Sequence, residues 1–273
     1  MEPTELFQAG KLDEALAAQT ALVKASPGDQ IKRLFLFELL AFAGEYERAK
    51  RQIDALQYDE IELQTAAADY RKVLDAEEFR RKVFREGLQP KFLTDTPPEH
   101  VRLRLEGLQR LREGKKSEAT EAFAQAAEAS PTVNGKLNEK TFDDLRDCDD
   151  LFGTVLEVIS QGNYFWVPLE TIESIALMTP RFPRDLLWVK ARLETASGAG
   201  QVFLPALYPG THEHKDPQVR LGRQTDWTED DGPVLGRGLR MFLAGDDAST
   251  ILEWRDVQID PQPGPGEEPD AAS

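Results

Sequence analysis

The residue types able to do chemistry are few in this chain and poorly assembled. His212-Glu213-His214 sets two imidazoles at i and i+2, which on an extended segment project to one side and offer two metal ligands. No HExxH helix or cysteine pair supplies the rest, so an exposed loop is the better reading. Cys148, the single cysteine, is flanked by Asp147, Asp149 and Asp150, whose negative field opposes formation of the reactive thiolate. Gly114-Lys115-Lys116-Ser117 resembles the end of a phosphate-binding loop. No strand precedes it, and the spaced upstream glycine is missing. The run Asp143, Asp144, Asp147, Asp149, Asp150 invites calcium. A loop starting at Asp147 would need Gly and Glu where the chain has Phe152 and Val158, so capping, pairing with arginine and solvation are the expected roles. Ser197 lacks the flanking glycines of a nucleophile elbow. The sequence therefore predicts no enzyme: no catalytic residue, no cofactor and no metal site.

Charge narrows the partners. The net charge is −16, from 33 Lys plus Arg against 49 Asp plus Glu, the opposite of a phosphate-binding footprint, so no nucleic acid is expected. Arg80, Arg81, Lys82 and Arg85 are interleaved with Glu77, Glu78 and Glu86, which reads as a solvated, self-paired helix face. A single cysteine excludes an intramolecular disulfide, and the N-terminal stretch has neither a basic nor an apolar leader region. The longest apolar run, near residues 34–37, is interrupted by Glu38, far short of the ~18 residues that span a bilayer. A soluble cytoplasmic protein with no membrane partner is the expectation.

The elements that must position these residues divide the chain. Gly10, Leu12, Ala15 and Leu22 recur as Gly44, Tyr46, Ala49 and Leu56, each displaced by 34 residues, the tetratricopeptide period. Glycine ends the first helix of each unit, and the small alanine lets the paired helices approach. A third copy follows with Gly107, Gly114, Ala119, Phe123 and Pro131, its register slipped by two residues. Residues 60–86 form one long helical pattern. The reading for residues 1–131 is a degenerate tetratricopeptide-like helical solenoid, a fold that usually offers a groove rather than an active site.

Residues 132–150 read as an acidic connector, with a turn at Asn134-Gly135 and a short helix around residues 142–146. From Leu151 the pattern changes to strands. Residues 154–159 and 164–167 flank Gln161-Gly162-Asn163 as a hairpin. The run 185–193 places Leu187, Val189 and Ala191 on one face and Trp188, Lys190 and Arg192 on the other, as in a strand with one buried side. Short strands continue through 201–204 and a closing hairpin over 239–254. Residues 151–260 thus read as a mainly β domain, a small barrel or sandwich, sharing no sheet with the helices. The tail 261–273 is Pro/Gly-rich and acidic, with disorder expected. The fold class is α+β in two domains. Tyr164, Trp166 and Trp188 are expected mainly as core packing, with a recognition surface as the alternative.

The order of parts, from FDDLRDCDDLFGTVLEVISQGNYFWVPLETIESI through PRDLLWVKARL to VFLPALYPGTHEH, resembles the ImpE family, also called TagJ or SciE, of type VI secretion accessory proteins. The resemblance runs over nearly the whole chain and is densest over residues 142–210. It implies a non-enzymatic cytoplasmic adaptor that binds the N-terminal segment of the small sheath subunit, TssB, and is associated with sheath disassembly by the ClpV ATPase. A helical groove suits an amphipathic segment. By the repeat register, Leu34, Glu38, Ala41 and Phe42 are the groove candidates, or else interhelix core, and Tyr164, Trp166 and Trp188 form a second candidate surface. The net charge favours a basic-faced peptide. A scaffold for an unrelated partner and a hydrolase carried by the β domain are the alternatives.

Overall fold

The structure is a computed structural model and describes residues 1–228 and 230–261. Seven helices come first: α1 (Pro3–Gln8), α2 (Leu12–Ala25), α3 (Gln30–Phe42), α4 (Tyr46–Asp54), α5 (Ile61–Glu86), α6 (Glu99–Arg112) and α7 (Lys116–Glu128). The repeat glycines do the same job three times. Gly10, Gly44 and Gly114 have φ of 80°, 70° and 75°. In each turn the glycine N–H bonds back to the carbonyl three residues earlier, at 3.0 Å, and the next N–H to the carbonyl five residues earlier, at 2.9 Å. This closes α1, α3 and α6 with a Schellman cap, for which a left-handed residue is needed. Ala15, Ala49 and Ala119 are fully buried at the contacts that follow.

The second half is antiparallel β-structure. β1 (Gly135–Leu137), β2 (Lys140–Phe142), β4 (Val155–Ser160), β5 (Asn163–Pro168), β6 (Ile172–Leu177), β7 (Trp188–Thr195), β8 (Gly198–Pro205) and β13 (Asp256–Ile259) make one eight-stranded sheet, ordered β2-β1-β13-β6-β7-β8-β4-β5. β3 (Leu145–Asp147) joins β11 (Met241–Ala244) and β12 (Asp247–Thr250) in a second sheet, and β9 (Thr225–Trp227) pairs with β10 (Gly236–Gly238) after the short helix α8 (Pro217–Arg220). The large sheet does not close, so there is no barrel. The β4–β5 hairpin turns at Gln161 and Gly162, with φ of 49° and 80°, the paired positive values of a type I′ turn.

Two expectations need correction. Residues 132–150, read as a connector with a short helix near 142–146, carry β1, β2 and β3. β1 and β2 pair locally as a hairpin, but β1 and β3 are held by β13 and β11, far away in sequence. The helical half also touches the sheet: Lys91 bridges Phe165 in parallel, through Lys91 N to Tyr164 O and Trp166 N to Lys91 O, both 3.0 Å. Of the tail from Pro261, only Pro261 lies within the described residues.

The large sheet is buried on both faces at its β4–β5 end, and its β1, β6 and β13 strands alternate buried and exposed residues. Leu156, Val158, Val167, Val189 and Ala191 pack with Phe242 and Trp254 in one cluster. The alternate residues Val155, Ile159, Tyr164, Trp166 and Trp188 belong to a second cluster that contains the helical core, including Phe37, Tyr70 and Val83. The Phe37 and Trp188 rings stack at 6.4 Å, and Phe152 meets Trp166 edge-on at 5.9 Å. The second face of β7, expected to be exposed, is buried at Trp188, which packs against Phe37 and Tyr70, and opens to solvent by Arg192.

Candidate functional site: an arginine-lined cavity between helices and sheet

α5 turns Tyr70, Val73, Leu74, Glu77, Arg80 and Phe84 toward the sheet, a 3.6-residue period whose stripe is apolar at both ends and charged in between. Arg80 is buried rather than solvated, which corrects the sequence reading of its cluster. Its Nε donates to Glu157 Oε1 and its Nη2 to Glu157 Oε2, each at 2.7 Å. Glu157 also accepts from Tyr164 and from Arg240. Arg240 reaches Asp147 at 3.1 Å, and Tyr208 donates to Asp147 at 2.6 Å. The chain of charges continues on α5, where Arg80 Nη1 lies 3.4 Å from Glu77 and Trp188 Nε1 donates to Glu77 at 2.9 Å.

The electrostatics follow from burial. The guanidiniums of Arg80 and Arg240 hold the Glu157 carboxyl below its ordinary range although it is fully enclosed, a desolvation that acts the other way. Asp149 accepts backbone N–H groups from Leu151 (2.9 Å) and Gly236 (2.7 Å), but burial and the neighbouring Asp147 push it up. Burial raises the half-buried Cys148 thiol to about 11, with Asp147 and Asp149 adding to the effect. That is not a nucleophile's environment.

Beside this network lies a cavity of about 370 Å³, within the usual range of a binding pocket. Its walls include Phe42, Leu108, Leu111, Leu187 and Leu207, and its polar lining includes Arg81, Arg112, Arg237 and His212. Arg81 Nη2 lies 3.2 Å from His212 Nε2. Guanidinium can only donate, so Nε2 accepts and the imidazole is neutral. Burial first, and Arg81 second, lower His212 to about 4. His214 faces Asp226 instead, at 3.0 Å, so the two imidazoles serve different partners. Among the described residues no group of three or more His, Cys, Asp or Glu is placed to hold a metal ion. Gly114 and Lys115 lie in the α6–α7 turn and Lys116 and Ser117 open α7, as the repeat required.

The ImpE protein family model matches residues 139–258. The Pseudomonas aeruginosa protein named type VI secretion system accessory component TagJ is 36% identical over 258 residues, covering 94% of this chain and 90% of that one. The chain belongs to the ImpE family. A crystal structure of protein VPA1032 from Vibrio parahaemolyticus is similar to this ImpE chain with a TM-score of 0.84 and 25% identity, covering 94% of this chain and 97% of that one.

In this ImpE chain the positions singled out from sequence are largely interior. Ala41, Phe42 and Trp188 line the cavity. Tyr164 and Trp166 are buried beneath it, with Trp166 Nε1 donating to Tyr164 Oη at 2.6 Å. Glu38 is 4% exposed and paired with Arg184 at 2.5 Å, and Leu34 is half-buried against the core. On the expected groove face Phe37 meets Trp188 and Glu38 meets Arg184, while Ala41 and Phe42 face the cavity. Sequence reasoning missed Glu157, Arg240 and Tyr208. One signal was available for Glu157: it is the lone charge in the strand VLEVIS, where an ionised group is tolerated only if paired.

Proposed function

We propose that this ImpE protein is a non-enzymatic cytoplasmic adaptor of a type VI secretion system. It binds the N-terminal segment of the small sheath subunit, TssB, and assists sheath disassembly by ClpV. Family membership supports the secretion role, and the TagJ relative is itself named as an accessory component. The observation that carries a binding role rather than catalysis is the open cavity at the seam of the two halves. Its walls are mainly apolar, and its carboxylates are tied up in structural hydrogen bonds. No helix of the described residues is long and apolar enough to cross a membrane.

Calorimetry with a synthetic N-terminal peptide of the co-encoded small sheath subunit tests the proposal. Saturable binding at low salt, lost when the apolar residues of the peptide are replaced by serine, is expected. An absence of heat at every salt concentration, with no co-purification of the intact sheath subunit, would end the adaptor reading.

A further inference from the structure

The charges around the cavity do not cancel. Arg85 pairs with Glu213, and Arg80 with Glu77 and Glu157. Arg81, Arg112 and Arg237 make no ion pair with a carboxylate among the described residues. They donate to uncharged acceptors: Arg81 to the Gly44 carbonyl at 2.9 Å and to His212 Nε2 at 3.2 Å, Arg112 to the Val83 carbonyl at 3.2 Å and Arg237 to the Gly236 carbonyl at 2.8 Å. Each contact occupies one of five guanidinium N–H groups and neutralises nothing. The carboxylates of Glu77 and Asp149 in the same lining are already satisfied by Trp188, Tyr46, Leu151 and Gly236. The uncompensated charge here is positive, in a chain whose net charge is −16.

A cavity that is apolar within and cationic around its lining selects for one chemistry. An apolar side chain removes the walls of Phe42, Leu108, Leu111 and Leu187 from water. Carboxylates on the same ligand meet guanidiniums whose planar donor forks suit them. A basic-faced peptide, the partner suggested by net charge alone, would meet like charge at this site. Global charge sets long-range attraction, but the groups within a few ångströms of the contact set its register and selectivity.

We propose that this cavity is the docking site for a partner segment that inserts an apolar side chain and presents carboxylates beside it to Arg81, Arg112 and Arg237. This deepens the adaptor reading and rests on it for the identity of the partner, while the chemistry of the site is independent of that identity.

The test uses the full chain and three fluorescent probes: the N-terminal peptide of the co-encoded small sheath subunit, an amphipathic helix with leucines on one face and glutamates on the other, and the same helix with lysines for the glutamates. The wild-type protein is expected to prefer the glutamate helix over the lysine helix by about tenfold or more at low salt. Arg112→Glu with Arg237→Glu should reverse that preference, and Arg112→Gln with Arg237→Gln should abolish it. Thermal melts establish that the variants fold, and the wild-type comparison of the two helices needs no variant at all. Equal binding of both helices by the wild type, or a preference untouched in folded variants, overturns the proposal. If the sheath peptide binds but ignores the arginine substitutions, the adaptor reading stands and this docking site falls. If the glutamate helix binds in an arginine-dependent way and the sheath peptide does not, the site stands and the partner is another. Tight binding of dodecanoate with no peptide binding rejects the peptide site in favour of a small amphiphile.

Discussion

Arg80 on α5 and Glu157 on β4 meet in a two-pronged pair, both contacts 2.7 Å, with their side chains 8% and 0% exposed. The two residues lie 77 positions apart, one in each half of the chain, so the pair fastens the helices to the sheet. Its geometry is fully specified because each carboxylate oxygen has a fixed donor.

Removing the acid should therefore be expensive. Glu157→Leu removes the carboxylate that the buried Arg80 and Arg240 share, leaving them only Glu77 and Asp147, and a loss of about 3–5 kcal/mol is expected in guanidinium titrations. Arg80→Met should cost less, because Glu157 keeps Arg240 as a partner. Equal losses for the two variants would contradict this account.

The helical and β halves should unfold together. Phe37, Tyr70 and Trp188 form one aromatic contact set across the seam, so neither half retains a complete core alone. Far-ultraviolet circular dichroism and tryptophan fluorescence are expected to report one coincident transition. Trp188→Ala should lower stability by about 3–5 kcal/mol. Helical signal surviving well beyond tryptophan exposure would mean that the halves are independent.

His212 gives a pH dependence whose sign is fixed. Its folded value is lowered to about 4, against about 6.5 for an unperturbed imidazole. The unfolded chain then binds the proton more readily, so the contribution is complete above about pH 6.5 and is lost as pH falls toward 4. Melting curves over that interval should show a shallower decline for His212→Gln than for the wild type. The raised Asp149 acts in the opposite sense, its contribution diminishing as pH rises from the ordinary carboxylate range, and Asp149→Asn isolates it.

Gly107 on α6 faces the ring of Phe123 on α7. A Cβ built there would lie 2.3 Å from Phe123 Cε1 and 2.6 Å from its Cδ1, so either the ring or the helix must move. Gly107→Ala is expected to destabilise by about 1–3 kcal/mol despite alanine's better helix propensity. A stabilised variant would show that Phe123 has room to turn away.

The sequence by itself determined what is local. The helix pairs are written in their turn glycines and small alanines, and the β4–β5 hairpin in Gln161-Gly162. These features depend on neighbours within a few residues, where φ preferences and the 3.6 or 2 residue period act directly. Tertiary structure alone decided that Arg80 is interior, that the 132–150 stretch supplies strands, and that Phe37 and Glu38 are covered by Trp188 and Arg184 while Ala41 and Phe42 line a cavity. It also decided that an acidic chain has a cationic cavity. Each of these depends on partners far away along the chain: Glu157 for Arg80, β13 and β11 for β1 and β3, Trp188 for Phe37. Periodicity records which face of an element is apolar, but what covers that face, and which charges it leaves unpaired, is set only when the halves pack.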